Sequence, residues 1–287
     1  MKKSANNQPY LPRPVTVESV VVENDSRDLK TLRLKFEHRE HASAFRFRCG
    51  QFAILSVPGE GECPIGIASS PADLDFIEFT VKKYPHGVVS SALHRLEKGD
   101  RLGVRGPYGN FFPLEEVRGK NLVIVGGGFA FTTLRSTIRY LLLPENRSAF
   151  GTITVIYGAR SPGELLYKDE LRAWREREDV ALHVTVDKGD GGWTGREGFV
   201  PTVLGEVAPD ARDAYALVCG PPVMLKFTIP VLKKLGFPDD RILTSVERKM
   251  TCGIGKCGRC NIGPRYVCKH GPIFSYAELS GLPEDVF

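Results

Sequence analysis

The sequence has no long apolar run. None comes near the ~20 residues a membrane span needs, so no spanning helix is expected. The opening MKKSANNQPYLPRP starts with lysines as a signal peptide does, but Pro9, Pro12 and Pro14 arrive before any hydrophobic stretch, and a cytoplasmic protein is expected. A block of one charge is also missing. The 39 Lys+Arg and 34 Asp+Glu read as interleaved, for a net charge of +5, which gives no case for nucleic acid. Hydrolytic machinery is absent too. His38, His41, His86, His94, His183 and His270 stand apart with no nucleophile pattern beside them and read as surface or helix-face residues. There is no internal repeat and no low-complexity segment.

Against these absences stand 287 residues of ordinary globular composition, 42% hydrophobic and 25% charged, enough for two domains and a short appendix. From Pro14 to Gly119, short alternating or apolar runs at Val15–Val22, Leu29–Phe36, Phe52–Val57, Phe76–Lys82 and Arg101–Gly106 are broken by Gly, Pro and Asp, predicting an antiparallel barrel or sandwich. Val88, Val89, Ala92, Leu93 and Leu96 recur at helical spacing and predict one amphipathic helix inside it. From 120 to 246 the rhythm becomes strand, glycine loop and helix, repeated, which predicts βαβ units and a parallel sheet. Residues 247–287 lack any such rhythm and are expected to be organised by something other than a hydrophobic core.

Seven cysteines make an odd count, and four of them fall within seventeen residues while Cys49, Cys63 and Cys219 are scattered in apolar surroundings. That distribution does not suit a disulfide scaffold. Cys252, Cys257, Cys260 and Cys268 have the spacing C-x4-C-x2-C-x7-C, whose first part matches the plant-type [2Fe–2S] pattern. Gly253, Gly255, Gly258 and Gly263 would let the loop wrap tightly and bring backbone N–H groups to the sulfurs. Structural zinc usually takes two close C-x2-C pairs, and only Cys257 and Cys260 form one; spacing alone leaves a [4Fe–4S] cluster open. Glu247, just before the cysteines, reads as an ordinary strand-end carboxylate.

Gly126, Gly127 and Gly128 follow the apolar strand Leu122–Val125 and open a helix, where a dinucleotide pyrophosphate could sit, although the full G-x-G-x-x-G fingerprint is absent. Cys219-Gly220-Pro221-Pro222 repeats the strand-to-helix pattern at the same sheet edge; taken alone it could be only a proline-started helix. His86-Gly87-Val88-Val89-Ser90-Ser91 is a candidate seat for another phosphate or simply a helix start. Gly106-Pro107-Tyr108-Gly109 reads as a turn.

In this order the motifs resemble the ferredoxin–NADP reductase superfamily over nearly the whole chain. Within it they are most similar to the gamma subunit of cytoplasmic nickel–iron hydrogenases and sulfhydrogenases, with the corresponding subunits of anaerobic sulfite reductase and of dihydroorotate dehydrogenase as relatives. The resemblance rests on SVERKMTCGIGKCGRCNIGPRYVCKHGPIFSYAEL, on Gly99-Asp100 leading to RGPYGNFFP, on YGARSPGELLYKDEL and on CGPPVMLKF. It implies an FAD-binding barrel over 14–119, an NAD(P)-binding α/β domain over 120–246 and a [2Fe–2S] segment over 247–287, together an electron-transfer subunit of a hydrogenase-type or other multi-subunit redox complex. FAD would contact Ile65, Gly66, Ile67, Ala68 and Ser69 and the Gly87, Val88, Val89 and Ser90 turn, and by the same analogy Glu247 could lie near the flavin; NADP or NAD would contact Gly127, Gly128, Arg160, Cys219, Gly220 and Pro221. Two departures stand out: Cys63-Pro64-Ile65-Gly66 replaces the usual Arg-x-Tyr-Ser, and Gly127-Gly128-Phe129-Ala130 with Thr133 replaces Gly-Gly-x-Gly with a following proline. Arg160, with no acidic residue at its position, favours NADP. A relay subunit that binds no nicotinamide, and a zinc-stabilised binding module, are the alternatives.

Overall fold

In the computed structural model residues 8–282 are described; residues 1–7 of the lysine-led opening and residues 283–287 of the expected C-terminal segment lie outside the described residues. The first six strands are β1 (Arg13–Val22), β2 (Leu29–Phe36), β3 (Phe52–Val57), β4 (Gly61–Gly66), β5 (Ile77–Lys82) and β6 (Arg101–Tyr108). They form one antiparallel sheet in the order β4-β3-β6-β1-β2-β5. Alternation dictates its inner face: Val15 and Val17 of β1, Leu32 and Leu34 of β2, and Phe79 and Val81 of β5 are buried together. The sheet curls until its edge strands approach. They meet at an isolated bridge, Ile67 to Phe79, where Ala68 N donates to Glu78 O at 2.8 Å, rather than through a full ladder. Helix α1 (Arg39–Ala44) lies outside, and α2 (Val88–Arg95) buries Ala92 and Leu93 as its spacing predicts.

Strand β4 was not legible as a strand, because GECPIG carries two glycines and a proline; as an edge strand it tolerates them. The expected turn at Gly106-Pro107-Tyr108-Gly109 is corrected as well. Gly106 through Tyr108 continue β6, and Phe52 of β3 pairs with Tyr108 across a register shift.

The second sheet has the order β10-β9-β8-β7-β11-β12-β15, built from β7 (Asn121–Gly127), β8 (Ile153–Ala159), β9 (Ala181–Val186), β10 (Arg196–Glu197), β11 (Ala214–Cys219) and β12 (Ile242–Ser245) in parallel. Short β13 (Asn261–Ile262) and β14 (Arg265–Tyr266) pair with each other, and β15 (Ile273–Ser275) adds antiparallel to β12. Between the strands run α3 (Phe131–Leu141), α4 (Pro144–Arg147), α5 (Lys168–Arg175), α6 (Val200–Val207) and α7 (Pro222–Lys234), followed by α8 (Val267–His270) and α9 (Tyr276–Ser280). The run Leu122-Val123-Ile124-Val125 is continuous because both faces are covered. Leu122 and Ile124 pack with Phe131, Leu134 and Ile138 of α3, whereas Val123 and Val125 pack with Val203 of α6 and Ile229 of α7.

The two sheets are joined by buried charge. Arg135 of α3 (side chain 8% exposed) reaches Glu78 of β5 (5% exposed) at 2.7 Å and Glu170 of α5 at 2.6 Å. Arg139 reaches Glu78 at 3.2 Å and Asp73 at 3.1 Å, and Arg33 completes the set at 2.9 Å from Glu78. Burial alone would raise the Glu78 pKa, but Arg135 and Arg33 overcome it and hold the carboxyl below its ordinary value.

The C-terminal segment corrects two expectations. It does have an apolar core, in which Ile262, Val267, Phe274 and Leu279 pack with Val246 and with Phe52 and Ile54 of β3. Its anchor is Asn110: the side-chain amide donates to His270 O (2.9 Å) and Ile273 O (2.6 Å) and its oxygen accepts from Ile273 N (2.8 Å). Nor is charge evenly interleaved. Between Arg248 and Ala277 stand six Lys or Arg and no Asp or Glu, so the rest of the chain holds 33 basic against 34 acidic residues.

Candidate functional site

A cavity of about 430 Å³ opens where the two sheets and the C-terminal segment meet. Cys63, Pro64, Ile65 and Gly66 of β4 form one wall, with Tyr84 and Gly87–Ser90 at the start of α2. Phe129, Thr132 and Thr133 at the start of α3 form the second, and Ser245, Val246, Glu247, Arg248 and Met250 the third. Gly66 is what allows the first two walls to close up. A Cβ there would stand 3.2 Å from Thr133 Oγ1.

Six of the residues expected around a flavin therefore line one cavity: Ile65, Gly66, Gly87, Val88, Val89 and Ser90. The Ser90 hydroxyl is already engaged, donating to Gly87 O (3.2 Å) and accepting from Tyr84 N (3.3 Å), which shapes the turn. Ile67, Ala68 and Ser69 are not in the wall. All three are buried where β4 crosses to β5: Ser69 Oγ accepts from Glu78 N at 3.0 Å and Ala68 O accepts from Arg135 at 3.3 Å. The family resemblance implies them as flavin contacts; local sequence does not disclose the crossing that buries them.

The expected nucleotide loops come together at the carboxyl edge of the parallel sheet, where Gly126 and Cys219 are register partners. A Cβ on Gly127 would lie 2.3 Å from Met224 Sδ and 3.5 Å from Pro221 Cδ, so the two loops touch. Gly128, at φ +54 with open space beside it, turns the chain into α3. Cys219 is buried behind the cavity: burial first, then the nearby Glu247 carboxylate, pushes its thiol up to about 12. Gly220 is packed against Met224, and Pro221 precedes α7 as its N-cap. Arg160 is exposed after β8, where its carbonyl accepts from Lys188 N at 3.1 Å.

Glu247, an ordinary strand-end carboxylate by sequence, sits in the cavity wall. Its surface faces the cavity while protein surrounds it, and this enclosure raises its carboxyl pKa. The signal that could have found it is positional, since Ser245–Glu247 leave the carboxyl end of β12 as the glycine loop leaves β7. The histidines stay structural: His94 Nε2 bonds Val81 O at 2.8 Å, and His270 Nδ1 accepts from Tyr266 N at 2.9 Å.

The four clustered cysteines sit beside this cavity, beyond Met250. Gly253, Gly255 and Gly258 have φ of +74, +74 and +72, the left-handed backbone expected of a loop wound round its contents. Ile254 N, Lys256 N and Cys257 N donate to Cys252 Sγ at 3.5, 3.2 and 3.4 Å. Gly255 N donates to Cys268 Sγ at 3.1 Å and Cys268 N to Cys260 Sγ at 3.5 Å. Burial works to raise the Cys252 thiol, but the three N–H donors outweigh it and bring it down to about 6; at Cys268, burial and the adjacent Cys260 push it up to about 12. Cys257 is exposed. Backbone N–H groups aimed at sulfur fit a negatively charged iron–sulfur thiolate centre. Among the described residues no three Cys, His, Asp or Glu converge on one point as a single ion requires.

Comparison with known proteins assigns each part. The family profile described as oxidoreductase FAD-binding domain matches residues 17–112, oxidoreductase NAD-binding domain matches 124–229, and the iron-sulfur cluster binding domain of dihydroorotate dehydrogenase B matches 247–280. The chain is similar to the sulfhydrogenase 1 subunit gamma of Pyrococcus furiosus, with 37% identity over 97% of this chain and 95% of that one. It is also similar to a probable dihydroorotate dehydrogenase B electron transfer subunit of Thermococcus kodakarensis, with 37% identity over 94% of this chain and 99% of that one. In fold it matches the structure of an NADH-dependent reduced ferredoxin-NADP oxidoreductase at a TM-score of 0.72, over 97% of this chain and 91% of that one, at 24% identity. The chain therefore belongs to the FAD- and NAD-binding oxidoreductases of the ferredoxin–NADP reductase family, in the branch that carries a C-terminal iron–sulfur domain.

Proposed function

We propose that the protein passes electrons between NAD(P)H, FAD and a [2Fe–2S] cluster on Cys252, Cys257, Cys260 and Cys268, as the electron-transfer subunit of a cytoplasmic, hydrogenase-type redox complex. The observation that carries this reading is one cavity walled by β4 and α2, by Phe129 and the first turn of α3, and by the strand end leading into the cysteine loop. In this reading the units are 14–119 with the curled sheet as flavin barrel, 120–246 for nicotinamide, and 247–287 for the cluster. A flavin held there exchanges two electrons with nicotinamide and one with a cluster.

The chain's own residues do the positioning. Ile65 and Pro64 offer an apolar face to a planar ring, and Val88, Val89 and Ser90 at the start of α2 offer backbone N–H groups to phosphate, Gly87 N being held by Tyr84 O at 3.0 Å. Gly127 lets the glycine loop pack onto Met224 and Pro221, Gly128 leaves open space beside the loop for a dinucleotide, and exposed Arg160 after β8, with no acidic residue in its place, favours NADP. Glu247 places a carboxyl in the cavity wall whose pKa its protein surroundings raise. The cluster thiolates receive backbone N–H groups rather than cationic side chains.

One observation favours a second reading, a relay subunit without nicotinamide binding: Phe129, bulky for a loop that must close on a nucleotide, lines the cavity wall. Anaerobic titration of the FAD-loaded protein with NADPH and with NADH separates the two. Bleaching of the flavin band by either nucleotide is expected, with NADPH effective at lower concentration. A flavin that stays oxidised while the cluster still exchanges electrons with dithionite would establish the relay. Iron and labile sulfide in equal amounts, without zinc, are expected on metal analysis.

A further inference from the structure

The stretch from Arg248 to Ala277 holds the chain's entire excess of positive charge. Lys249, Lys256, Arg259, Arg265 and Lys269 are exposed, and none of the five makes an ion pair or a side-chain hydrogen bond among the described residues. Elsewhere, cations such as Arg105, Arg135 and Arg139 are paired with carboxylates. Three of the five gather at the one exposed cysteine, Cys257: Lys256 adjoins it, Arg259 follows two residues on, and the Lys269 stem packs over Gly255, whose added Cβ would lie 3.1 Å from Lys269 Cδ.

We propose that this collar is the docking surface for the protein that exchanges electrons with the cluster, and that the partner's matching surface is rich in carboxylates. This rests on the electron-transfer reading above and names the partner's chemistry. The competing use of the charge would be to neutralise the cluster itself. The geometry speaks against it, because the sulfurs take their hydrogen bonds from backbone N–H groups while the cationic heads face solvent. Unpaired charge left in water does little for stability but steers an oppositely charged partner and orients its approach. Electrons leave a buried centre where it comes nearest the surface, which here is the Cys257 side.

The test uses the flavin- and iron-loaded full chain and two carrier proteins, an acidic plant-type ferredoxin and basic cytochrome c. Binding to each is measured by surface plasmon resonance, and NAD(P)H-driven reduction of each by absorbance, over a range of salt. The double variant Arg259→Glu with Lys269→Glu is compared with wild type, cluster absorbance and redox potential being recorded for both. Expected are salt-weakened binding to ferredoxin only, and a loss of roughly ten-fold or more in ferredoxin kcat/KM at low salt in the variant, with the potential unmoved. Equal losses toward both carriers with a shifted potential would show that the collar serves the cluster and overturn the proposal. So would ferredoxin binding that ignores salt and the substitutions, or tight salt-dependent binding of a single-stranded oligonucleotide that the variant loses while ferredoxin does not bind. Binding to ferredoxin without any electron transfer upholds the surface and refutes the electron-transfer reading instead.

Discussion

At the residue scale, the cysteines carry the sharpest predictions. Cys268→Ser removes a buried thiolate from the set while its contacts lie away from the Cys63–Gly66 wall, so iron and sulfide should be lost with FAD retained, as read by iron content and the flavin absorbance. Glu247 allows a pH prediction. Its folded pKa is raised, so the folded state disfavours the ionised form, and a penalty grows as pH rises from the unfolded value of about 4.3 through the folded one. Glu247→Gln should therefore match wild type in Tm in acid and exceed it increasingly as pH rises above the unfolded value, as thermal unfolding followed across pH would show. For coenzyme choice, Arg160→Ala should raise the KM for NADPH relative to NADH about ten-fold, the loss of one hydrogen bond to a charged group, measured by flavin reduction with each nucleotide. The cysteine loop was legible because its chemistry is local: spacing and glycines state it. Glu247 reads first as a strand-end carboxylate, and only the family resemblance brings it near a flavin, because its setting depends on which walls fold around it.

Among elements, α3 matters most, since its first turn faces the cavity and its second carries the buried charge that clamps it to β5. Arg135→Met would leave Glu78 buried with only Arg33 and Arg139 beside it, at a cost of about 3–5 kcal/mol in chemical denaturation. The same pair gives an acid signature. Because the Glu78 pKa is depressed, its contribution is complete above the unfolded value and lost as pH falls through the folded one, so Tm of the wild type should drop more steeply in acid than that of Arg135→Met. The strands and helices with strong periodicity were readable: Leu29–Phe36, Leu122–Val125 and the α2 stripe all stand where their patterns put them. The elements that escaped were short or chemically atypical. GECPIG reads as turn material and becomes β4 only through the neighbour β3; Ile-Phe-Ser is too short to announce β15 and is defined by pairing with β12.

For the whole molecule, domain order was written in the change of rhythm near Gly119, but the junction was not, since the residues that meet there are far apart in sequence. Asn110 shows why. Its side chain closes three hydrogen bonds to residues 160 or more positions away, a match no local pattern discloses. Asn110→Ala would strand Ile273 N–H and two carbonyls and should cost about 1–3 kcal/mol in unfolding while loosening the cluster segment, seen as faster loss of cluster absorbance to a chelator.

The antiparallel seat of β15 on β12 also changes what deleting the C-terminal segment would mean. The segment is stitched into the sheet along β12, by the β12–β15 ladder and its continuation from Val246 N to Pro272 O at 2.8 Å, and therefore behaves as part of the wall and not as a tail. A chain ending at Val246 would lose more than its metal. It would bare the N–H and C=O row of β12 as a fresh sheet edge, and light scattering should reveal self-association in a protein whose full-length form keeps that edge covered.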